Sequence, residues 1–470
     1  MKNIKSIVPL LPAQQLMLTA TLKNSSDLYV QQLLFEVNGY SEIDVSKALN
    51  KLIDCYECFR SLILFEGLKQ PVLVCKDDIR PAFVSHLIAE SEIQQRIDQI
   101  REIGFDFQKE PCLRFDWIKT SEKQYLCISN HHILFDGWGK QVILSDFIRI
   151  LKFPNIFITE KQNKSWYDAW SKLDHKKAIE SYKNYLTHFD DFAVISQISA
   201  LKHENLEYKT IASSETIERT RKSLGLTGAE LINFCWSIFA SIWTQNERIQ
   251  FGVVKQNGLV DQVKNGFGMG IQTLPFQFQV DFEATIREQL DRFKSREREV
   301  AGATFANSID PLFSQYNYEF LIAFENYPLD SSLGSVENEF KLLFSYDRSE
   351  FPLSLAITPY TDRFEFDWHY NTKFHCTEQI TFLADQFHTF LELFESNLEV
   401  SPLNLCENWF QPFNQIPQFK TDFEREEFLK KLEGNLTLDQ LSYFNQFSET
   451  FKSSINRIWI YGDKHELMIP

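Results

Sequence analysis

The sequence predicts an α/β fold with mixed sheets, divided into at least two lobes. Three observations predict it. The chain has 470 residues, and one hydrophobic core normally stops growing at about 250–300, so a division is expected. Strand-like and helix-like segments alternate over residues 1–175 and again over 201–408, with a polar helical stretch between them. The run Asn130-His131-His132-Ile133-Leu134-Phe135-Asp136-Gly137-Trp138 reads as strand, then turn, then helix. The hydrophobic fraction of 44% and the charged fraction of 24% are those of an ordinary globular protein.

In the first half, Val45 to Phe59 reads as a helix with Val45, Ala48, Leu49 and Leu52 facing inward. Cys55 and Cys58 close it as a lone Cys-x-x-Cys. A zinc site wants four ligands, and no second pair or histidine cluster completes this one. A redox pair wants a thioredoxin-like βαβ context, which is missing. The two are read as small buried thiols. The eight scattered cysteines indicate no disulfide framework, which suits a reducing cytoplasm.

Tyr125 to His132 is rich in residues that suit a pleated, buried surface. Side chains alternate across a strand, so His131 and His132 point to opposite faces. One faces a cavity while the other packs or hydrogen-bonds inside. Gly137 permits a sharp turn, after which Val142, Ile143, Phe147, Ile150 and Leu151 recur at helical spacing. Only ten histidines occur in the chain, so an adjacent pair followed by Asp-Gly is a rare accident. Histidine suits proton transfer near neutral pH because its unperturbed pKa is about 6.5. Asp136 either orients an imidazole or braces the loop through a buried ion pair. The competing reading is a buried histidine pair that only satisfies backbone groups.

Residues 176–200, with Lys183, Asp190 and Asp191, read as a polar helical connector. Thr227 and Glu230 form a capping box for a helix whose Leu231, Phe234, Cys235, Ile238 and Phe239 make one apolar stripe. Its apolar part, Leu231 to Trp243, is too short to span a bilayer and reads instead as a buried helix. Strands follow near 249–254, 271–280, 319–325 and 352–358, with helices over 283–299 and 377–397. In the tail, residues 409–470, Pro412, Pro417 and Gln418 suggest an extended link. Helices over Asp422–Leu432 and Leu436–Ile458 follow, whose Phe423, Phe428, Leu429, Leu438, Leu441, Phe444 and Phe447 need burial. Packing on the second lobe is the preferred reading of this tail, and docking to another protein the alternative. A formal net charge of −16 argues against nucleic acid, whose phosphates need Lys and Arg. Gln14 and Gln15 interrupt the only N-terminal apolar run, so no targeting segment is read there. A cytoplasmic monomer with no membrane contact is expected.

The His131-His132-x-x-x-Asp136-Gly137 segment resembles the signature of the condensation domains of nonribosomal peptide synthetases, in the superfamily that includes chloramphenicol acetyltransferase. The resemblance continues in order along the chain. Pro9-Leu10-Leu11-Pro12-Ala13-Gln14-Gln15-Leu16-Met17 is similar to the family's opening motif. Cys55-Tyr56-Glu57-Cys58-Phe59-Arg60-Ser61 is similar to its Arg-His-Glu-x-Leu-Arg-Thr helix end, with Tyr56 where His is usual. Trp166-Tyr167-Asp168-Ala169-Trp170 resembles the fourth motif. Gly268-Met269-Gly270-Ile271-Gln272-Thr273-Leu274-Pro275 resembles the fifth, with Gln272 where Asn is usual. Phe324-Glu325-Asn326-Tyr327-Pro328, Asp347-Arg348-Ser349-Glu350-Phe351-Pro352-Leu353 and Tyr370-Asn371-Thr372 resemble late motifs. The family often has an Arg upstream of the Thr273-Leu274-Pro275 run, paired with the Asp of the His motif. Gln256 stands at that place, beside Lys255, which leaves the partner of Asp136 open.

The resemblance implies two acetyltransferase-like lobes, residues 1–175 and 176–408, in a V-shaped pseudo-dimer with a central tunnel and the His motif midway. It implies joining of a carrier-bound acyl or aminoacyl thioester to an acceptor amine or hydroxyl. His132 is then the candidate base or acceptor-positioning group, His131 and Asp136 hold the loop, and Gly137 offers its N–H to the tetrahedral intermediate. Trp138, Gln272, Thr273, Asn326 and Ser349 are candidates to line the tunnel. No bound cofactor or metal is implied; the substrates ride on the phosphopantetheine of peptidyl or acyl carrier proteins, with a small amine or alcohol as a further possible acceptor. Two other readings remain: an acyltransferase using a coenzyme A thioester and a small soluble acceptor, and a non-catalytic recruitment domain. The intact His motif counts against recruitment, and Trp138-Gly139 resembles condensation more than epimerisation. No adenylate-forming loop and no phosphopantetheine-bearing Ser motif follows, so a free-standing enzyme is expected.

Overall fold

In the computed structural model, residues 3–186, 205–256, 266–304, 318–325, 339–375 and 377–409 are described, together with Leu259 and Val263. Asn326 and the tail beyond Trp409 lie outside them, so the readings made for those segments do too. In the first half, β1 (Ile4–Pro9) leads into α1 (Pro12–Lys23), whose first residue is a proline, a position where its missing N–H costs nothing. β2 (Val30–Val37) precedes α2 (Glu42–Cys55), which starts on a Ser41–Asp44 capping box. Then come β3 (Ser61–Leu64), β4 (Val72–Lys76), β5 (Ala82–Leu87), α3 (Ile93–Ile103), β6 (Leu113–Lys119), β7 (Gln124–His131), α4 (Gly137–Lys152) and α5 (Asn163–Trp170).

The helix expected over Val45–Phe59 stops at Cys55, and Glu57–Arg60 form a separate 3₁₀ turn. Tyr56 breaks it. Its backbone is extended and bridges to Lys161, and its buried hydroxyl donates to Asp146 Oδ2 at 2.8 Å. Cys55 and Cys58 are buried free thiols.

The second half continues with α6 (His175–Tyr185), β8 (Asn205–Ser213), α7 (Ser214–Leu224), α8 (Gly228–Thr244), β9 (Arg248–Gln256), β10 (Ile271–Gln279) and α9 (Ile286–Gly302). It ends with β11 (Phe320–Phe324), β12 (Phe340–Tyr346), β13 (Leu353–Pro359), β14 (Arg363–Asn371), α10 (Thr377–Leu393) and α11 (Pro402–Trp409). The capping box of α8 is formed: Glu230 N–H donates to Thr227 Oγ1 at 3.2 Å and Thr227 N–H to Glu230 Oε2 at 2.7 Å. In place of one apolar stripe, every residue of α8 from Leu231 to Ile242 is buried. Helices α7, α9, α10 and α11 and strand β9 all contact it, so it is the central helix of its lobe.

The start of the polar connector is corrected too. Tyr182 and Tyr185 on α6 are buried in the second lobe's core, and their hydroxyls donate to the carbonyls of Pro275 and Gln277 on β10. The polar residues that suggested a connector hide this aromatic anchor. Asp190 and Asp191 lie outside the described residues.

Among the described residues the strands form three sheets. One has the order β10-β9-β11-β13-β14-β8, with β11 parallel to both neighbours and the remaining pairs antiparallel. Another has the order β12-β2-β7-β6-β5, with only β5 and β6 parallel. The smallest is β1-β4-β3. The sheets are mixed, as expected. The surprise is β12: although it lies in the second half of the chain, it forms the edge of the first-half sheet, from Phe340↔Val37 to Tyr346↔Gln32. Phe340 enters the first core against Phe35, Tyr40 and Phe147. A cut at 175/176 would therefore strip a strand from the first lobe. Sequence cannot show this exchange, because backbone pairing with β2 asks little of side chains beyond one apolar anchor.

Candidate active site

The two histidines sit where β7 ends. Val30 on β2 pairs with His131, the last residue of the strand. His131 is fully buried. Its Nδ1 accepts from the Ile133 N–H at 3.1 Å, which assigns the proton to Nε2. Nε2 donates to Thr21 Oγ1 at 3.0 Å, and the Thr21 hydroxyl donates onward to the Met17 carbonyl at 2.9 Å. Burial, and secondarily the neighbouring His132, lower the His131 pKa to about 3. His131 is thus a neutral clamp between α1 and the turn.

A pH dependence follows. The folded state keeps His131 neutral down to about 3, whereas its ordinary value is 6.5. Between those values the unfolded chain binds the extra proton, so this contribution is intact above 6.5 and is lost as pH falls, by about 1.4 kcal/mol per pH unit. His131→Gln keeps an amide donor for Thr21 but does not titrate. Denaturant unfolding at pH 7, 6, 5 and 4 is expected to show a steeper acid loss in the wild type than in the variant. Equal slopes would show that His131 is not held neutral.

His132 follows as the first residue of a one-turn 3₁₀ helix, with its N–H on the Tyr29 carbonyl at 2.8 Å. It is half-buried, and its Nδ1 is buried without a hydrogen-bond partner among the described residues. One imidazole is locked by hydrogen bonds, while the Nδ1 of the other, just past the end of the strand, makes none among the described residues. Gln14, on α1, stitches the turn from outside. Its Nε2 donates to the Ile133 carbonyl at 2.8 Å and its Oε1 accepts from Leu11 N–H at 2.9 Å. In the sequence Gln14 stands out only as a polar interruption and as one member of the opening motif, and Thr21 and Tyr29 do not stand out at all.

Asp136 is the N-cap of α4. Its Oδ1 accepts from Gly139 N–H at 2.9 Å, and its Oδ2 accepts from Gly270 N–H in the second half of the chain at 2.8 Å. Burial raises its pKa, opposed by these two amides and then by His132. The open question of its partner is settled by backbone: among the described residues the carboxylate holds two amides and makes no ion pair. Gln256 is exposed at the end of β9, and Lys255 pairs with Glu297 at 2.8 Å.

Gly137 is simply the first residue of α4 and has no positive φ. The close approach is at Gly139, where an added Cβ would lie 2.8 Å from Phe135 Cβ and 2.9 Å from Phe267 Cζ.

Trp138 is half-buried on the first turn of α4, and Ser349 is half-buried just beyond β12. Gln272 and Thr273 are neighbours on β10, so they face opposite sides and cannot line one wall. Gln272 shares its face with Leu274 and Phe276 and donates to the Ala303 carbonyl at 3.1 Å, under the helices. Thr273 shares its face with Ile271, which packs against Leu11, Trp166, Leu259 and Met269 between the halves. In that seam Trp166 Nε1–H donates to the Met269 carbonyl at 3.0 Å, and Gly268 leaves room for the indole.

A buried carboxylate thus joins the two halves of the chain behind a histidine pair, one member locked and the other open. A model of the condensation domain family matches residues 4–404. The chain belongs to the condensation domain family. Bacitracin synthase 3 of Bacillus licheniformis is 23% identical over 392 residues, which cover 76% of this chain and 6% of that protein. Tyrocidine synthase 3 of Brevibacillus parabrevis is 24% identical over 376 residues, covering 74% of this chain and 6% of that protein. The chain thus spans a small fraction of the length of these relatives. The solved condensation domain from Monacolin K polyketide synthase MokA superposes with a TM-score of 0.70 at 12% identity, covering 85% of this chain and 100% of that one. The X-domain from teicoplanin biosynthesis superposes with a TM-score of 0.71 at 13% identity, covering 85% and 97%. These likenesses establish the fold of this condensation domain as two acetyltransferase-like lobes in a V. Among the described residues no group of His, Cys, Asp or Glu is placed to hold a metal ion. No single helix among them is long and apolar enough to cross a membrane.

Proposed function

We propose that this condensation domain joins an acyl or aminoacyl group, presented as a thioester on the phosphopantetheine arm of a carrier protein, to an acceptor amine. The observation that carries the reading is the uncommitted imidazole of His132 beside polar groups that are all engaged: His131 with Thr21 and Ile133, Asp136 with Gly139 and Gly270, Gln14 with Leu11 and Ile133. A site that immobilises every neighbour and leaves one imidazole open suits proton transfer.

The amine nitrogen attacks the thioester carbonyl carbon. A C–N bond forms, the C–S bond breaks, and the proton shed by nitrogen passes through His132 to the leaving thiolate. The Gly137 N–H, in the first turn of α4, has no partner within the helix. In this reading it donates to the oxyanion, where the helix dipole also favours negative charge. Holding two tethered reactants together supplies much of the remaining acceleration. Thr273, Trp138, Ser349 and Asn326 are proposed to border the substrate path. An acceptor hydroxyl in place of the amine gives an ester by the same steps.

Intact-mass spectrometry of an acyl-loaded carrier protein mixed with candidate amines tests the proposal. Loss of the acyl mass with appearance of an amide, only when enzyme is present, supports it. Transfer from a coenzyme A thioester but not from the carrier overturns it in favour of a small-molecule acyltransferase. Tight carrier binding without transfer from either donor overturns it in favour of a recruitment role.

A further inference from the structure

We propose that Tyr29 is a positioning residue for His132, tying the imidazole's backbone and ring to the Asp347–Glu350 loop from the other half of the chain. The inference rests on the reading of His132 given above. Tyr29 has a φ of 63°, and the other described non-glycine residues with positive φ are Asn3 and Gln245. For a bulky ring this left-handed conformation is strained, and it persists only where the surroundings overdetermine it.

Those surroundings are on every side of the residue. Its N–H donates to the Arg348 carbonyl at 2.9 Å, and its carbonyl accepts the His132 N–H at 2.8 Å. Its hydroxyl donates to Glu350 Oε1 at 3.1 Å. Its ring stands perpendicular to the His132 imidazole at a centroid distance of 6.5 Å, and tilted to that of His131 at 6.1 Å. Only 7% of Tyr29 is exposed.

The geometry has a purpose that strand pairing alone does not serve. Because Val30 pairs with His131, the bond from His132 N–H to Tyr29 is the last rung between β2 and β7. The left-handed turn completes that rung while sending the ring toward the imidazole. On either side the loop is clasped again: Gln31 Nε2 donates to Asp347 Oδ2 at 2.6 Å, and Arg348 pairs with Asp27. β12, pairing with β2 as far as Gln32, delivers the loop to this place. Burial and then Glu350 hold the Tyr29 hydroxyl protonated, as a donor must be. One aromatic residue therefore registers the crossover loop, and Ser349 within it, to the histidine.

The test uses the full chain and the carrier assay above, with His132→Ala as reference. Tyr29→Phe keeps the ring and both backbone bonds and loses only the bond to Glu350. Tyr29→Leu keeps bulk and loses the ring. The expected result is a fall in kcat of about three- to tenfold for Phe and about a hundredfold for Leu. KM should be unchanged, and the pH profile of kcat displaced in both variants. Thermal unfolding measured alongside separates folding from positioning. If Tyr29→Leu merely lowers the folded fraction, with kcat per folded molecule and the pH profile unchanged, the role is structural and the inference is overturned. Variants within twofold of wild type, while His132→Ala is inactive, overturn the inference and leave the reading of His132 standing. An active His132→Ala overturns both.

Discussion

His132→Ala is expected to lower kcat for acyl transfer by about 10²–10⁴-fold, the usual weight of a positioned acid–base group, and to leave the fold intact. The two halves of this expectation have separate physical grounds. His132 is half-buried and its Nδ1 bonds to none of the described residues, so truncation orphans no partner. The stability change should stay at about 0.5–1 kcal/mol, the weight of the lost edge contact with the Tyr29 ring. The backbone bond from His132 N–H to Tyr29 survives the substitution, so the turn keeps its shape. Single-turnover kinetics with a loaded carrier, paired with denaturant unfolding, measure both. Near wild-type turnover would remove His132 from the mechanism. A stability loss comparable to that of a buried-core truncation would mean that the imidazole is packed and not poised.

The opposite signature is expected for Asp136→Ala. The carboxylate satisfies two amides, Gly139 within its own helix and Gly270 across the seam between the halves. Loss of an N-cap costs about 1 kcal/mol, and an orphaned buried amide costs about 1–3 kcal/mol. Together they predict a loss of about 2–4 kcal/mol in denaturant unfolding. Activity should fall as well, because the turn bearing His132 and the start of β10 lose their common tie. Asp136→Asn discriminates this picture from an ion pair. Asparagine has one acceptor oxygen, so it can serve one of the two amides and presents its own NH₂ to the other. It should therefore cost nearly as much as alanine. A mild Asn variant would show that the second acceptor is dispensable.

Much of the chemistry is legible in the residues alone. The run read as strand, turn and helix is β7, a 3₁₀ turn and α4. The Thr227–Glu230 spacing names a cap that forms as expected. Ile143, Phe147, Ile150 and Leu151 are buried on α4 at the spacing that predicts it. Each of these is a local property, in which the relevant neighbours lie within a few residues. The errors cluster where the neighbour is remote. A polar connector hides Tyr182 and Tyr185 because their partners lie on β10. The helix read as buried over Leu231 to Trp243 is buried, on all sides and not along one stripe, because four other helices surround it.

The sequence by itself determined most of the elements, the family and the place of the histidine pair, because period, capping and residue chemistry act over one or two turns of chain. Tertiary structure decided which histidine is free, and it did so through Thr21, Ile133 and Tyr29. It also decided that Asp136 answers to backbone amides in both halves, and that β12 closes the sheet of the opposite lobe. Apart from the Thr21 hydroxyl, those outcomes depend on main-chain donors and acceptors. Every residue but proline carries both, so no pattern of side chains announces which of them will meet.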